Sequence, residues 1–218
     1  MKDTLNKKEL EFEDKVINYL TKIGGTKQWE YHPEIKDSEA LWSNFKRILE
    51  QNNRGRLDKE LSIVEFNQVK RVINQLDTPY KAGQFLYGVN GVSQVEVDLD
   101  NGEHVFLTVF DQAQVGGGNT VYQVVNQISR PKIVDGKQDR RFDITLLING
   151  LPIIQIELKK ALHRTKESFN QMKQYIAEKQ YSDIFSTLQI LVAMTPYETR
   201  YMANSTLESF NQAFAFNW

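Results

Sequence analysis

The chain has 218 residues, a mass of 25.4 kDa and a formal net charge of −1, so it can form one or two compact domains and is not a strongly basic protein. Forty per cent of its residues are apolar and none is cysteine, which excludes disordered chains, disulfide scaffolds, thiolate zinc sites and cysteine nucleophiles. No apolar run approaches the ~20 residues that cross a bilayer, and the first ten residues are too polar for a signal peptide, so we expect a cytoplasmic protein with no membrane role.

The first 90 residues are predicted to be mainly helical. Apolar residues recur at helical spacing in three segments, around residues 12–23, 41–49 and 62–76. Ser62 and Glu65 have the spacing of a capping box, so the third helix should begin at Ser62, and it should end before Pro79. We therefore expect three helices before the sheet.

From Val95 onward the apolar pattern changes to a period of two, which is typical of strands. Strands are predicted near residues 95–99, 104–110 and 120–128, and a hairpin of two strands is predicted at 141–159. A helix should follow at 165–179, and a last, central strand at 188–195. This order predicts a mixed α/β fold, with a central sheet flanked by helices. We expect one domain over residues 1–218, with the sheet core in residues 91–218.

The hairpin places three charged residues on one side of its strands. Asp143, Glu157 and Lys159 alternate with apolar neighbours. Asp143 faces Glu157 only if the register sum, which is the sum of the residue numbers of each cross-strand pair, is even. A regular two-residue turn at Asn149-Gly150 would make that sum odd and place Asp143 on the face of Ile156. Because such a pairing would split the apolar face, we predict a three-residue loop or a bulge at Gly150, with a positive φ at that glycine.

Two carboxylates and an ammonium at a sheet edge can support phosphodiester hydrolysis. The carboxylates of Asp143 and Glu157, with a backbone carbonyl such as that of Leu158, are hard oxygen ligands that suit Mg²⁺. A bound Mg²⁺ activates water, and Lys159 can hold that water or screen the developing charge. The alternative for so short a pattern is a partly exposed strand whose polar side happens to be charged.

The sequence around this hairpin resembles the nuclease region of the R subunit of type I restriction-modification enzymes, a PD-(D/E)XK endonuclease domain that precedes two ATP-driven motor domains. The matching segments are the signature from Arg141 to Lys160, the QxxxY element within residues 170–175, and the segments 10–13, 199–206 and 216–218. The resemblance spans nearly the whole chain. Phe142 stands where the family signature has proline, and its side chain should face the apolar side of the sheet.

The resemblance implies a role for each residue of the motif. Asp143 and Glu157 would bind Mg²⁺, with Mn²⁺ as a possible substitute, and Lys159 would be the catalytic lysine. Gln171 and Tyr175 lie four residues apart on one helix face and would organise the site or touch DNA; without the family, a solvated helix face would explain them.

Two further interpretations concern residues at the margin of the motif. An additional acidic residue is expected from the first helix, and Glu13 or Glu11 could supply it; either could also be a surface glutamate. Arg141 shares the face of Asp143 and is a candidate site residue, with a salt bridge to Asp139 or another acid as the alternative.

The basic residues are concentrated around the motif. Residues 130–180 contain eleven Lys or Arg and six Asp or Glu, a local charge of +5, whereas the rest of the chain carries −6. Such a segment could contact DNA phosphates without reading bases. The candidates are Arg140, Arg141, Lys160, Arg164, Lys166 and Lys173.

The resemblance implies a Mg²⁺-dependent endonuclease that cuts double-stranded DNA and works with its own motor domains and with modification and specificity subunits. No Walker A sequence occurs, so ATP should act only through motor domains outside these residues. Two alternatives remain: another nuclease of the RecB-like or resolvase-like kind, and a non-catalytic docking module.

Overall fold

The computed structural model describes residues 2–22, 29–116, 118–160 and 165–218, with the side chains of the first helix described from residue 10 onward. Its helices are α1 (Lys2–Leu20), α2 (Ser38–Asn52), α3 (Ile63–Asn74), α4 (Pro79–Tyr87) and α5 (Thr165–Ala177). Of the helices in this part of the chain, none combines the length and apolar character needed to cross a bilayer.

The predicted capping box at the start of α3 is confirmed. The hydroxyl of Ser62 accepts a hydrogen bond from the backbone N–H of Glu65, and the Glu65 carboxylate accepts one from the backbone N–H of Ser62. The prediction of three helices was wrong, because Pro79 begins α4. A proline is well tolerated in the first turn of a helix, where its missing N–H has no intrahelical partner, and Thr78 caps that turn.

The strands form two separate sheets. The strands of the larger sheet are β1 (Glu30–Tyr31), β4 (Tyr122–Arg130), β5 (Arg140–Ile148), β6 (Leu151–Leu158), β7 (Ile190–Met194), β8 (Thr199–Ala203) and β9 (Phe216–Asn217). They lie in the order β1-β4-β5-β6-β7-β8-β9, in which β1 and β4, and β6 and β7, are parallel and the other neighbours are antiparallel. This mixed sheet with flanking helices confirms the predicted fold class.

Two predictions about the strands need correction. The hairpin of β2 (Val92–Asp98) and β3 (His104–Asp111) is a two-stranded sheet of its own, and it packs its apolar side with Val69 and Ile73 of α3. The strand predicted at 188–195 corresponds to β7 and is central, but β8 and β9 follow it. Local patterns give strands, whereas the sheet that a strand joins depends on long-range contacts.

The central hairpin of β5 and β6 is buried on both faces. On one face, Ile144 and Ile156 pack with Val16 of α1. On the other, the side chains of Thr145 and Gln155 have no exposed surface, and the Thr145 hydroxyl donates a 2.8 Å hydrogen bond to the Gln155 amide oxygen. The side that the sequence marks as polar is therefore largely covered by protein at the middle of the hairpin, which explains the burial of Glu157 on this side.

The turn of this hairpin differs from the prediction, although the register at its far end is the predicted one. Ile148 pairs with Leu151 across a two-residue turn in which Asn149 and Gly150 have φ values of 50° and 81°. A bulge at Ile153 then changes the register sum from odd to even, so that Ile144 pairs with Ile156. The positive φ at Gly150 is confirmed, but the extra residue lies in β6 and not in the turn.

Candidate active site

The even register brings the two predicted acids to the same place in the sheet. Asp143 is the residue before Ile144 in β5, and Glu157 follows its partner Ile156 in β6. The carboxylate of Asp143 accepts a 2.8 Å hydrogen bond, through Oδ2, from the backbone N–H of Leu158. Asp143 is therefore held against the end of β6, next to Glu157.

The Glu157 carboxyl is buried and close to a second negative charge. Only 1% of its surface is exposed, and one oxygen, Oε2, is buried without a hydrogen-bond donor among the described residues. Burial raises the pKa of Glu157 well above its ordinary value, and the charge of Asp143 raises it further, whereas Lys159 opposes the shift. Placing two ionised carboxylates side by side costs free energy unless a cation balances their charge.

Lys159 lies directly after β6 and joins the acids to α5. Its ammonium is 3.3 Å from Oε1 of Glu157 and donates a 2.8 Å hydrogen bond to the amide oxygen of Gln171. The amide nitrogen of Gln171 in turn donates to the hydroxyl of Tyr175, one turn further along the helix. Tyr175 is 1% exposed, so its hydroxyl lies inside the protein and not on the surface.

These groups line a cavity of about 350 Å³. The residues around it are Leu10, Glu13, Gln127, Arg141, Asp143, Glu157, Lys159 and Gln171. Of the two acids predicted from the first helix, Glu13 is 2% exposed and borders the cavity, whereas Glu11 is exposed and does not border it. The helical spacing of Glu13 with the buried residues Val16 and Ile17 was a signal that could have distinguished them.

Sequence reasoning missed two residues of β4 that contact Glu13. Asn126 donates from Nδ2 to one oxygen of the Glu13 carboxylate at 2.5 Å, and Gln127 donates from Nε2 to the other. Burial raises the pKa of Glu13, and these two hydrogen bonds oppose the shift. The signal available in the sequence was a pair of consecutive amides between the apolar residues Val125 and Ile128.

The basic residues named from the sequence have different surroundings. Arg140 makes a two-pronged ion pair with the buried carboxylate of Glu178, at 2.7 and 2.6 Å, and is therefore a structural residue. The Lys173 ammonium lies 6.0 Å from the ring centre of Phe210. Arg141 is exposed at the cavity, and the described residues show no ion pair between it and Asp139, whose carboxylate accepts a hydrogen bond from the backbone N–H of Lys132. Arg164 lies outside the described residues.

The donor set fits a hard divalent cation held by two carboxylates. In the described part of the chain, no three His, Cys, Asp or Glu side chains are close enough to share a metal ion, so Glu13 borders the cavity without completing such a group. Among the described residues, no donor reaches the buried Oε2 of Glu157, and the Asp143 carboxylate lies next to it. Oxygen atoms of this kind are the ligands that Mg²⁺ prefers.

A mixed sheet whose central hairpin carries two acids followed by a lysine defines the class of restriction-endonuclease-like domains. The family described as type I restriction enzyme R protein N terminus matches residues 7–210. The chain therefore belongs to this family, as the resemblance of its hairpin and QxxxY segments predicted.

Several curated relatives are described as endonuclease subunits of type I restriction enzymes. The endonuclease subunit of type I restriction enzyme SauMSSORF170P from Staphylococcus aureus (strain MSSA476) is 28% identical over 213 residues, which are 96% of this chain and 21% of that protein. The EcoprrI endonuclease subunit from Escherichia coli is 29% identical over 205 residues, covering 87% of this chain and 58% of that protein. The chain thus spans about a fifth of the length of the staphylococcal relative.

Proposed function

We propose that the chain is the Mg²⁺-dependent endonuclease domain of a type I restriction-modification R subunit. It hydrolyses phosphodiester bonds of unmodified foreign double-stranded DNA and does not read sequence itself. The observation that carries this proposal is the pair of neighbouring carboxylates, Asp143 and Glu157, with the ammonium of Lys159 beside them in an open cavity. Membership of the family supports the same reaction class.

Asp143, Glu157 and the backbone carbonyl of Leu158 would hold the Mg²⁺, and Mn²⁺ would substitute for it. When bound, the ion supplies a Lewis acid that activates water and neutralises charge on the phosphoryl oxygens. The two acids favour cation binding, because a divalent cation relieves the repulsion between the buried Glu157 carboxylate and that of Asp143.

The cations of the chain act on the DNA and the reacting phosphate. Lys159 places its ammonium at the rim of the acidic cavity, where it stabilises negative charge that develops on the phosphate. Gln171 holds that ammonium in place by a hydrogen bond. The exposed guanidinium of Arg141 binds a DNA phosphate next to the cavity, which positions the backbone and carries no sequence information.

The proposal places this domain in a larger assembly. Its own motor domains, outside the 218 residues, would bind ATP, and the modification and specificity subunits would decide which DNA is cut. The cytoplasm is where such a complex meets incoming DNA. The low share of the staphylococcal relative that the chain covers is compatible with motor domains in the remaining length.

The test uses the complete restriction enzyme with single substitutions in this domain. Asp143→Ala, Glu157→Ala and Lys159→Ala should each abolish DNA cleavage and leave ATP hydrolysis intact, whereas Glu11→Ala, at an exposed position on α1, should cleave like the wild type. Full cleavage by any of the three site variants would overturn the proposal. Calorimetry of Mg²⁺ or Mn²⁺ binding distinguishes the endonuclease from a non-catalytic docking module. A docking module should show the same metal binding for the wild type and Glu157→Ala, whereas the endonuclease should lose binding in the variant.

A further inference from the structure

Strand β4 contains a residue with an unusual backbone conformation beside the candidate site. Gln127 has a φ of 55°, in the left-handed region that side-chain-bearing residues rarely adopt. Its neighbours Asn126 and Ile128 pair with Ile144 and Phe142, so Gln127 lies opposite Asp143. The register sum is the same on both sides, and the distortion is therefore not caused by an inserted residue. A left-handed residue in a strand costs free energy and persists where other contacts compensate it.

The distortion allows two consecutive side chains to reach one carboxylate. In a regular strand, neighbouring side chains point to opposite faces of the sheet. Here Asn126 and Gln127 both donate to Glu13, each to a different carboxylate oxygen. Both oxygens are therefore engaged by β4, and the Glu13 carboxylate is fixed in orientation at the wall of the cavity.

The orientation of the Asn126 amide is itself determined by two donors. Lys36 donates from its ammonium to the Asn126 side-chain oxygen at 2.5 Å and to the Asn126 backbone oxygen at 2.8 Å. The hydroxyl of Tyr31 donates to the same side-chain oxygen at 3.0 Å. Because both donors approach the oxygen, the NH₂ group of the amide must face Glu13. Two consecutive residues of β4 thus bind the Glu13 carboxylate, and Tyr31 and Lys36 fix the orientation of one of them.

We propose that Asn126 and Gln127 are positioning residues that hold the Glu13 carboxylate at the wall of the Asp143 cavity, with Lys36 orienting the Asn126 amide. This inference rests on the proposed metal-dependent function. A buried polar network is costly unless every member is satisfied, and an apolar residue would serve the packing of β4 equally well. What the network provides is a third negative charge at a defined place beside Asp143 and Glu157, which increases the affinity of the cavity for a cation.

The test is a double-mutant cycle on full-length protein, with Mn²⁺ binding measured by calorimetry in the absence of nucleotide. Glu13→Gln and Gln127→Gly should each weaken Mn²⁺ binding about tenfold, as loss of a group that orients metal ligands does. Glycine tolerates the left-handed backbone and removes the whole side chain, including its amide. The double variant should bind no more weakly than the weaker single variant, because Gln127 acts through Glu13. Asn90→Gly, at an exposed turn position with a φ of 54°, is the matched backbone control and should bind like the wild type.

The outcomes separate this inference from the function on which it rests. If Gln127→Gly binds Mn²⁺ like the wild type, or if the effects of Gln127→Gly and Glu13→Gln multiply, the positioning role is overturned and the endonuclease proposal stands. If the wild type binds no Mn²⁺, or if Glu157→Ala binds it equally well, both proposals fail. Thermal unfolding shows whether each variant is folded. Gln127→Asn, whose shorter amide tolerates the left-handed conformation, should show the same weakening as Gln127→Gly and replaces it if glycine unfolds the strand.

Discussion

The ammonium of Lys159 lies 2.8 Å from the amide oxygen of Gln171, a contact that joins the end of β6 to the middle of α5. Gln171 donates its amide nitrogen to the hydroxyl of Tyr175, and the Tyr175 ring packs 5.1 Å from that of Phe142 between their centres. The position of the candidate catalytic lysine is therefore connected to the hydrophobic core by two hydrogen bonds. A flexible lysine gains a defined place in this way without being buried itself.

Gln171→Ala should reduce DNA cleavage by the complete enzyme about fivefold, because Lys159 loses the hydrogen bond that places its ammonium, and one hydrogen bond of about 1 kcal/mol corresponds to a rate change of this size. The unfolding free energy should change little, since Gln171 is only partly buried. Cleavage rates and urea unfolding check the two expectations. Tyr175→Phe keeps the ring and removes the hydroxyl, and it should shift cleavage in the same direction. A loss of stability that fully accounts for the loss of cleavage would contradict this role.

Glu178→Ala should destabilise the domain without a specific effect on the site. The Glu178 carboxylate is 1% exposed, and its removal leaves the guanidinium of Arg140 without its two-pronged partner, so we expect a loss of about 3 kcal/mol in unfolding free energy. Urea denaturation at pH 7 measures this loss. Lys166→Ala, at an exposed position, serves as a surface control and should stay within about 0.5 kcal/mol.

The same ion pair makes a contribution to stability that depends on pH. The guanidinium of Arg140 lowers the pKa of Glu178 below its ordinary value of 4.5. A carboxyl with a lowered folded-state pKa stabilises the fold above pH 4.5, and the contribution is lost as the pH falls through the folded-state pKa. The difference in unfolding free energy between the wild type and Glu178→Ala should therefore shrink when denaturation is repeated below pH 4. A difference that stays constant down to pH 3 would contradict the ion-pair explanation.

Glu157→Gln should stabilise the metal-free protein at pH 8 and abolish its stabilisation by metal. The pKa of Glu157 is raised by burial and by Asp143, so this group favours folding below pH 4.5 and opposes it once the pH rises through the folded-state pKa. The amide of the substituted glutamine removes the free-energy cost of burying an ionised carboxylate, and it also removes the negative charge that attracts a cation. Thermal unfolding with EDTA and with 10 mM Mg²⁺ (on the order of 100 times a weak site's Kd) measures both effects, and the wild type should gain about 2–3 kcal/mol from the metal. An equal response of the wild type and Glu157→Gln to Mg²⁺ would contradict the role of Glu157 in metal binding.

The parts of this fold that were predictable from sequence are those set by local patterns. The capping box of Ser62 and Glu65 determines where α3 begins, and the alternation around Ile144 and Ile156 determines which register buries the apolar side chains. Pro79 was misleading because a proline can end one helix or begin the next, and its neighbour Thr78 decides between them.

The remaining parts of the site depend on contacts between distant segments. Which glutamate of α1 approaches the hairpin depends on the rotation of that helix against the sheet, and Glu13 is selected because it shares the buried face of Val16. The meeting of Asn126 and Gln127 at one carboxylate requires a local break in strand geometry. No periodic pattern contains such a break, so the acid–acid–lysine set was predictable and the network around Glu13 was not.

Gly150 in the turn before β6 should be the more sensitive of two glycines that share the same backbone conformation. It has a φ of 81°, and a Cβ there would lie 2.8 Å from the Cα of Phe45 in α2, whereas Gly102 has a φ of 87° and nothing within 4 Å of a Cβ. Gly102→Ala should cost about 1–2 kcal/mol, the strain of a left-handed alanine. Gly150→Ala adds a clash with backbone atoms and should cost about 2 kcal/mol more. Urea denaturation of the two variants measures the difference. Equal losses would mean that α2 can move away from the turn, and that the hairpin carrying Asp143 and Glu157 is not held in place by this close contact.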